Sequence, residues 1–324
     1  MSITRSSGEP TICVVPPDTS WIVGRAAPRR AIVTGNFDGC HLGHRALFVR
    51  LRAEAARRGL RPLVVSFSPH TRIALSRDCG LGLLTTDGEK RELLVEHYGL
   101  PLEVLSFDEK LRSLSAEEFI EKIVIGKLNA SLWLMGFNHH FGAGAKGSYA
   151  SMLDFAKERG LELGLLNAVE AGDETVSSTR IRALVASGRL REAGELLGYS
   201  YRLSGQVVRG AGRGHGLGFP TANLRLENPG KLSPPAGVYA GRAFVDGEEI
   251  PAVANLGANP TFGENRVDGR LEVHFLDWSG DLYGKRVVFA IEAMLRPSRA
   301  FSSVEELKAQ IARDVGDARS IAGR

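Results

Sequence analysis

Short apolar runs alternate with longer amphipathic stretches through the first half of this chain, and near Val176 the alternation stops. The runs are RAIVT, PLVVSF, LEVLSF, SLWLMGF and ELGLLNAV; between them lie RALFVRLRAEAARRG, DGEKRELLVEHYG and LSAEEFIEKIVIGKL. Strand, helix, strand, helix implies a parallel sheet covered on both faces. In such sheets ligands lie beyond the carboxyl ends of the strands. Function is therefore expected in the segments that follow strands: GNFDGCHLGH, SPHTRIAL and NHHFGAGAKGS.

Beyond Val176, VSSTRIRALVASGRLREAGELLG reads as two short helices parted at Gly188. After Tyr201 the chain turns strand-rich, with YRLSGQVVRG, TANLRL, VYAGRAFV, IPAVANLG, LEVHFLDW and KRVVFAIEAML. Short strands punctuated by Gly, Pro and Asn predict an antiparallel sandwich or barrel. SSVEELKAQIARDV then predicts a closing helix with a serine cap and an acidic first turn. The boundary falls between residues 185 and 200, which divides the chain into domains 1–190 and 191–324. A length of 324 residues suits two domains of roughly 100–200 residues each.

With 43% hydrophobic and 24% charged residues, the chain has the apolar mass for real cores. It has no run of about 18 apolar residues, so no transmembrane helix and no membrane partner is expected. Its N-terminus lacks a charged start followed by a long apolar stretch, so no secretory signal is expected either. Cys13, Cys40 and Cys79 form no CxxC pair and are odd in number, which fits a reducing cytoplasm. The net charge of +4 suits an enzyme that handles polyphosphates as well as it suits a nucleic-acid binder. The Arg/Gly stretch VVRGAGRGHG lacks the aromatics that stacking on bases requires, so no nucleic-acid partner is expected.

GNFDGCHLGH sits between a strand and a helix. His41 and His44 are three apart at the helix start, so both rings can point the same way. A helix N-terminus favours anions, and the loop Gly35, Asn36, Phe37, Asp38, Gly39 lets backbone N–H groups approach a phosphate. Two imidazoles there can stabilise charge on a phosphoryl group under attack. Asp38 can fix the loop or orient a ring. Asn138 follows a strand and should face the same crevice, where its amide can both donate and accept a hydrogen bond.

GNFDGCHLGH resembles the adenylyltransferase half of the bacterial bifunctional riboflavin kinase/FAD synthetase family, and SSTRIR resembles that family's second nucleotide motif. The resemblance implies that Ser177, Ser178, Thr179 and Arg180 bind nucleotide and that Arg182 meets transition-state charge. GRGHGLGFPTANL resembles the flavokinase signature, which implies a flap containing Gly210, Arg213, Gly214 and Gly218 over ATP phosphates. Thr221 and Asn223 lie two apart on a strand and offer neutral oxygens to Mg2+ carried with ATP. NLGANPTF and LEVHFLDWSGDLYGKRV also resemble the kinase half. By strand pattern alone Glu272 reads as solvent-facing; the resemblance makes it the base that accepts the riboflavin 5′-hydroxyl proton. His274, two residues on, reads as structural. The resemblance implies a Rossmann-like α/β nucleotidyltransferase domain, then an antiparallel six-stranded β-barrel with a C-terminal helix. The substrates it implies are ATP, riboflavin and FMN.

The chain departs from the family pattern at Asn138, His139 and His140, where an Asp-Phe-Arg core is common, and at Ser68, Thr71 and His215. The resemblance assigns Asn138 to flavin binding, since its amide can bond the polar edge of the ring, and His140 to the missing cation; because histidine titrates near neutrality, FAD formation is expected to depend on pH more steeply than the kinase step, over about pH 6–8. Besides a nucleic-acid-binding module, which only the charge and the Arg/Gly stretch suggest, two rivals stand beside the bifunctional enzyme. One is a kinase with an inactive, flavin-sensing first domain. The other is a metal-dependent phosphohydrolase using His41, His44, His70, His139 and His140, although it lacks an obvious set of aspartates.

Overall fold

The computed structural model describes residues 28–75, 80–136, 139–166, 170–171, 174–209, 218–258 and 267–322. The first body opens with β1 (Arg30–Thr34), α1 (Leu42–Arg58), β2 (Arg61–Ser68), α2 (Thr71–Leu75), α3 (Asp87–Tyr98) and β3 (Leu102–Ser106). It continues with α4 (Glu109–Ser113), α5 (Ala116–Glu118, running on as wider π-type turns over Phe119–Lys127), β4 (Ala130–Gly136), α6 (Tyr149–Glu158) and β5 (Glu162–Leu166). The five long strands pair in parallel in the order β3-β2-β1-β4-β5. β1 is therefore central. Its inner residues Ala31, Ile32 and Val33 are buried because helices cover both faces.

Local chemistry sets the helix ends. Thr86 and Glu89 form a capping box at the start of α3, and Gly99 ends it in the left-handed region. α1 is different. Its N-cap is His41, whose side chain makes no capping bond, and its first turn carries no acidic residue. The positive end of its dipole is left for another anion.

A short hairpin, β6 (Glu170–Ala171) with β7 (Glu174–Thr175), leads to α7 (Ser178–Ala186) and α8 (Leu190–Leu197), parted at Gly188 as expected. Then come β8 (Arg202–Val208), β9 (Ala222–Leu226), β10 (Gly237–Val245), β11 (Glu248–Ala258), β12 (Val267–Phe275) and β13 (Arg286–Pro297). They close into a barrel in the order β10-β11-β12-β9-β8-β13, and α9 (Val304–Ala322) packs on its outside through Ala318 against Val238 and Val253. The parallel sheet, the closed six-stranded barrel and the final helix are those expected. Among the described residues no helix is long and apolar enough to cross a membrane.

The two bodies share buried structure. Ile181, Leu184 and Val185 of α7 belong to the same apolar cluster as Leu203, Leu224 and Leu256 of the barrel. Lys231 of the barrel donates to Glu89 Oε2 at 2.6 Å and to the Leu84 carbonyl at 2.6 Å, and Ser204 donates to Glu89 Oε1 at 2.8 Å. The Glu89 and Lys231 side chains are 1% and 2% exposed.

Candidate active sites

The first site gathers at the carboxyl end of β1. Asp38 is 2% exposed and accepts four bonds: from Leu84 N at 3.1 Å, Thr85 N at 2.9 Å, Thr85 Oγ1 at 3.2 Å and an Arg182 guanidinium nitrogen at 2.5 Å. Arg182 also donates through Nε to the Gly82 carbonyl at 2.8 Å. The pair braces the loop against α7 and the segment before α3. Arg182, expected to meet transition-state charge, thus has Nε and one terminal nitrogen engaged at the base of the loop.

Ser178 donates its hydroxyl hydrogen to the Asp38 carbonyl at 2.9 Å, and its oxygen lies 3.2 Å from His41 Nε2. With that hydrogen spent, the oxygen can only accept, so Nε2 of His41 carries the proton and Nδ1 of the neutral ring keeps the lone pair. The His41 and His44 rings stack at 3.7 Å with 19° between planes. Both Nδ1 atoms are buried without a partner. Burial holds the His41 pKa down at about 4 against the Asp38 charge, and burial with the neighbouring His41 pushes that of His44 well below the ordinary imidazole range. Two buried imidazoles with unused Nδ1 atoms stand at an uncapped helix start, where protonation would let those Nδ1 atoms donate to an anion. Gly43 permits it: a Cβ there would lie 3.0 Å from His41 Nδ1 and 3.1 Å from the Val176 carbonyl.

The rest of the loop is mostly scaffold. The Asn36 amide is engaged twice with Thr71, donating to Oγ1 at 2.7 Å and accepting from its N–H at 3.1 Å. Phe37 is buried, edge-on to His44. Gly35 leaves room for the Phe37 ring, and Gly39, at φ 85°, donates its N–H to Thr85 Oγ1 and accepts at its carbonyl from the Tyr199 hydroxyl. Ser177 caps α7, Thr179 is exposed in its first turn, and Arg180 follows. Burial raises the Cys40 thiol to about 12, which removes it as a nucleophile.

Two residues near this site carried no functional signal in the sequence or a different one. Lys90 is buried and donates to Ser66, which in turn donates to the Asn36 carbonyl. His70 sits within the fields of Asp38, Arg182 and Lys90, its pKa lowered to about 4 chiefly by burial. His139 bonds Thr34 Oγ1 at 3.0 Å and packs on Trp133 and Phe141, and burial lowers it to about 4. A ring so held is neutral near pH 7. His140 is exposed, and Asn138 lies outside the described residues. No group of three or more His, Cys, Asp or Glu side chains able to hold a metal occurs among the described residues, which is what the phosphohydrolase reading requires.

The second site lies on the outer wall of the barrel. Leu224, Leu271, Val273 and Leu256 fill the interior, so the alternate residues point outward. Asn223 of β9 is in register with Glu272 of β12, and Glu272 with Asn255 of β11. Three polar residues thus stand in one row, with Glu272 partly buried and Asn255 exposed. Asn255, the first residue of NLGANPTF, received no role from the sequence; no local signal says which strand will flank β12. Thr221 sits just ahead of β9, and Gly218 adopts φ 84°. Gly210, Arg213 and Gly214 lie outside the described residues. The Thr221 hydroxyl and Asn223 amide are neutral, hard oxygen donors, which suits a magnesium ion that keeps waters and shares phosphates.

A family profile described as FAD synthetase matches residues 25–180, and one described as riboflavin kinase matches residues 197–322. The bifunctional riboflavin kinase/FMN adenylyltransferase of Escherichia coli (strain K12) is 36% identical over 300 residues, covering 92% of this chain and 95% of that one. The chain belongs to the bifunctional riboflavin kinase/FMN adenylyltransferase family. The Bacillus subtilis (strain 168) relative of the same name is 34% identical over 292 residues, covering 90% of this chain and 92% of its own. A crystal structure from Streptococcus pneumoniae described as a macrolide-efflux protein superposes with a TM-score of 0.77 at 31% identity, covering 91% of this chain and 95% of that one. This riboflavin kinase/FMN adenylyltransferase family member is an enzyme with both domains present, and nothing in the comparisons favours a degenerate, flavin-sensing first domain. Both families use ATP, generally with a divalent metal.

Proposed function

We propose that the two reactions run at the two sites described, FMN adenylylation within residues 1–190 and riboflavin phosphorylation within 191–324. On the barrel, Glu272 takes the proton of the riboflavin 5′-hydroxyl as that oxygen attacks the ATP γ-phosphorus. The bond to the bridging oxygen breaks, and FMN and ADP leave. Thr221 and Asn223 hold Mg2+, which when bound supplies neutralising charge on the phosphate oxygens. The glycine-rich stretch with Gly210, Arg213, Gly214 and Gly218 covers the nucleotide.

In the first domain an FMN phosphate oxygen attacks the ATP α-phosphorus, and pyrophosphate leaves as FAD forms. His41 and His44 meet the phosphoryl charge at the start of α1. The loop Gly35–Gly39 and Ser177–Arg180 surround the nucleotide, with Asp38 and Arg182 positioning them. Asn138 binds the flavin. Positioning and charge stabilisation do most of the catalysis at both sites. No nucleic-acid or membrane partner enters this scheme, and a reducing cytoplasm is its setting.

The observation that carries the first-domain assignment is the pair of stacked imidazoles whose buried Nδ1 atoms have no partner. An approaching phosphate gives them one and raises their pKa values toward the charged, donating form. The test is to incubate the pure protein with riboflavin, ATP and magnesium and to separate the flavins by chromatography. FMN together with FAD supports the scheme. FMN alone restores the flavin-sensing alternative, and neither product overturns both.

A further inference from the structure

We infer that His274 is a positioning residue of the kinase site, holding the segment that enters Thr221 and Asn223 against the strand that carries Glu272. The inference rests on the metal and base assignments above. His274 follows Glu272 by two residues on β12, so both side chains rise from the outer face of the barrel. Its Nδ1 lies 2.7 Å from the Pro220 carbonyl oxygen. A carbonyl only accepts, so Nδ1 carries the hydrogen. The ring also stands edge-on to Phe219, with centroids 5.7 Å apart and 83° between planes. One side chain thus engages both residues that precede Thr221.

The ladder explains why such a tie is needed. Pairing between β9 and β12 runs from Ala222 with Val273 to Arg225 with Arg270. Asn223 is held within that ladder, whereas Thr221 lies just beyond it. Pro220 has no N–H with which to extend the pairing. Two oxygen donors that share one ion must keep a fixed separation, and here one is anchored by the sheet and the other is not. The His274 bond to Pro220 supplies the missing anchor, from the same strand that presents Glu272.

The test uses the full chain with three substitutions. His274→Phe keeps a ring against Phe219 and loses the donor. His274→Gln places its amide beyond the Nδ1 position. His274→Asn places an amide N–H close to where Nδ1–H was. Riboflavin fluorescence in the presence of ADP is titrated with Mg2+, a binding measurement in which no phosphate is transferred. Thermal unfolding and conversion of FMN to FAD are followed alongside. His274→Phe and His274→Gln should raise the magnesium concentration at half-effect roughly fivefold, the scale of one lost hydrogen bond. His274→Asn should stay within about twofold of the native value. The apparent KM for ATP-magnesium should rise with the midpoint, while FAD formation from added FMN stays unchanged. A native magnesium midpoint in His274→Phe or His274→Gln, with or without a lowered Tm, overturns the inference. So does an equal shift in all three variants, because the hydrogen bond would then not be the tie. Asn223→Ala separates the two levels: if it leaves the midpoint unchanged, the metal assignment itself fails, and if only Asn223→Ala shifts it, the role of His274 fails alone.

Discussion

Glu272 shows how little a residue's own neighbourhood reveals. Its strand, RLEVHF, places it opposite an apolar face, which any solvent-exposed glutamate would satisfy. Its register partners Asn223 and Asn255 are what mark it as part of a polar row. Glu272→Gln should lower FMN formation on the order of 10²–10⁴-fold, the usual loss for a general base, while added FMN is still converted to FAD. Normal riboflavin phosphorylation by the variant would make Glu272 an ordinary strand residue. The buried histidines make a different prediction. His41 and His139 are held at about 4 in the folded chain, against an ordinary 6.5. The unfolded chain therefore binds their protons first as the pH drops. Their contribution is complete above 6.5, and stability is lost progressively as the pH falls from 6.5 toward 4. Urea unfolding at pH 7 and pH 5 should show lower stability at pH 5, with proton uptake on unfolding. Equal stability at the two values would mean that these rings are not buried neutral.

At the scale of elements, the start of α1 is the place where helix propensity and function diverge. Alanine is better than glycine in a helix by about 1 kcal/mol. At position 43 an added Cβ would press on the His41 ring and on the Val176 carbonyl, at 3.0 and 3.1 Å. Gly43→Ala is expected to leave the Tm nearly unchanged, because the propensity gain offsets the crowding. FAD formation should fall at least tenfold as His41 is displaced, a fraction of what charge stabilisation at such a site contributes. FMN formation should not change. The assay is the same flavin chromatography, started once from riboflavin and once from FMN. Undiminished FAD formation would show that the stacked geometry of His41 and His44 is not what the reaction uses. α3 carries a comparable double duty. Glu89 completes the capping box at its start and also receives Lys231 and Ser204 from the barrel.

For the whole molecule, that contact decides how the two catalytic bodies stand to one another. Lys231 and Glu89 are both nearly fully buried, and Lys231 also donates to Leu84, beside the Thr85 that holds Asp38. Arg202 adds a two-pronged bond to Glu96, at 2.7 and 2.9 Å. Arg286 reaches Glu92 and Glu227 at the edge. Removing one partner of a buried pair leaves an uncompensated charge and costs about 3–5 kcal/mol. Lys231→Met should therefore lower stability by about that amount. Adding Glu89→Gln should recover part of it, since the stranded carboxylate is gone. Denaturant unfolding of the two variants checks this, and a loss under about 1 kcal/mol in Lys231→Met would place the holding energy in the apolar cluster instead.

Local pattern alone determined the layers of this protein. Strand and helix periodicities are properties of a few neighbouring residues, so the five parallel strands, the paired helices around Gly188 and the later short strands were all legible. So was the pairing of His41 with His44, because a three-residue spacing on a helix brings two rings together without help from the rest of the chain. The fold alone decided what those rings face and what holds them. Asp38 meets Arg182 across 144 residues, and Glu89 meets Lys231 across 142. Asn255 stands beside Glu272 because β12 lies between β11 and β9 in the closed barrel. Contacts of this kind depend on strand order and register, which are chosen by the burial of whole faces at once. No short stretch of sequence carries that choice, so the partners of Arg182 and Lys90 were decided only by the tertiary structure.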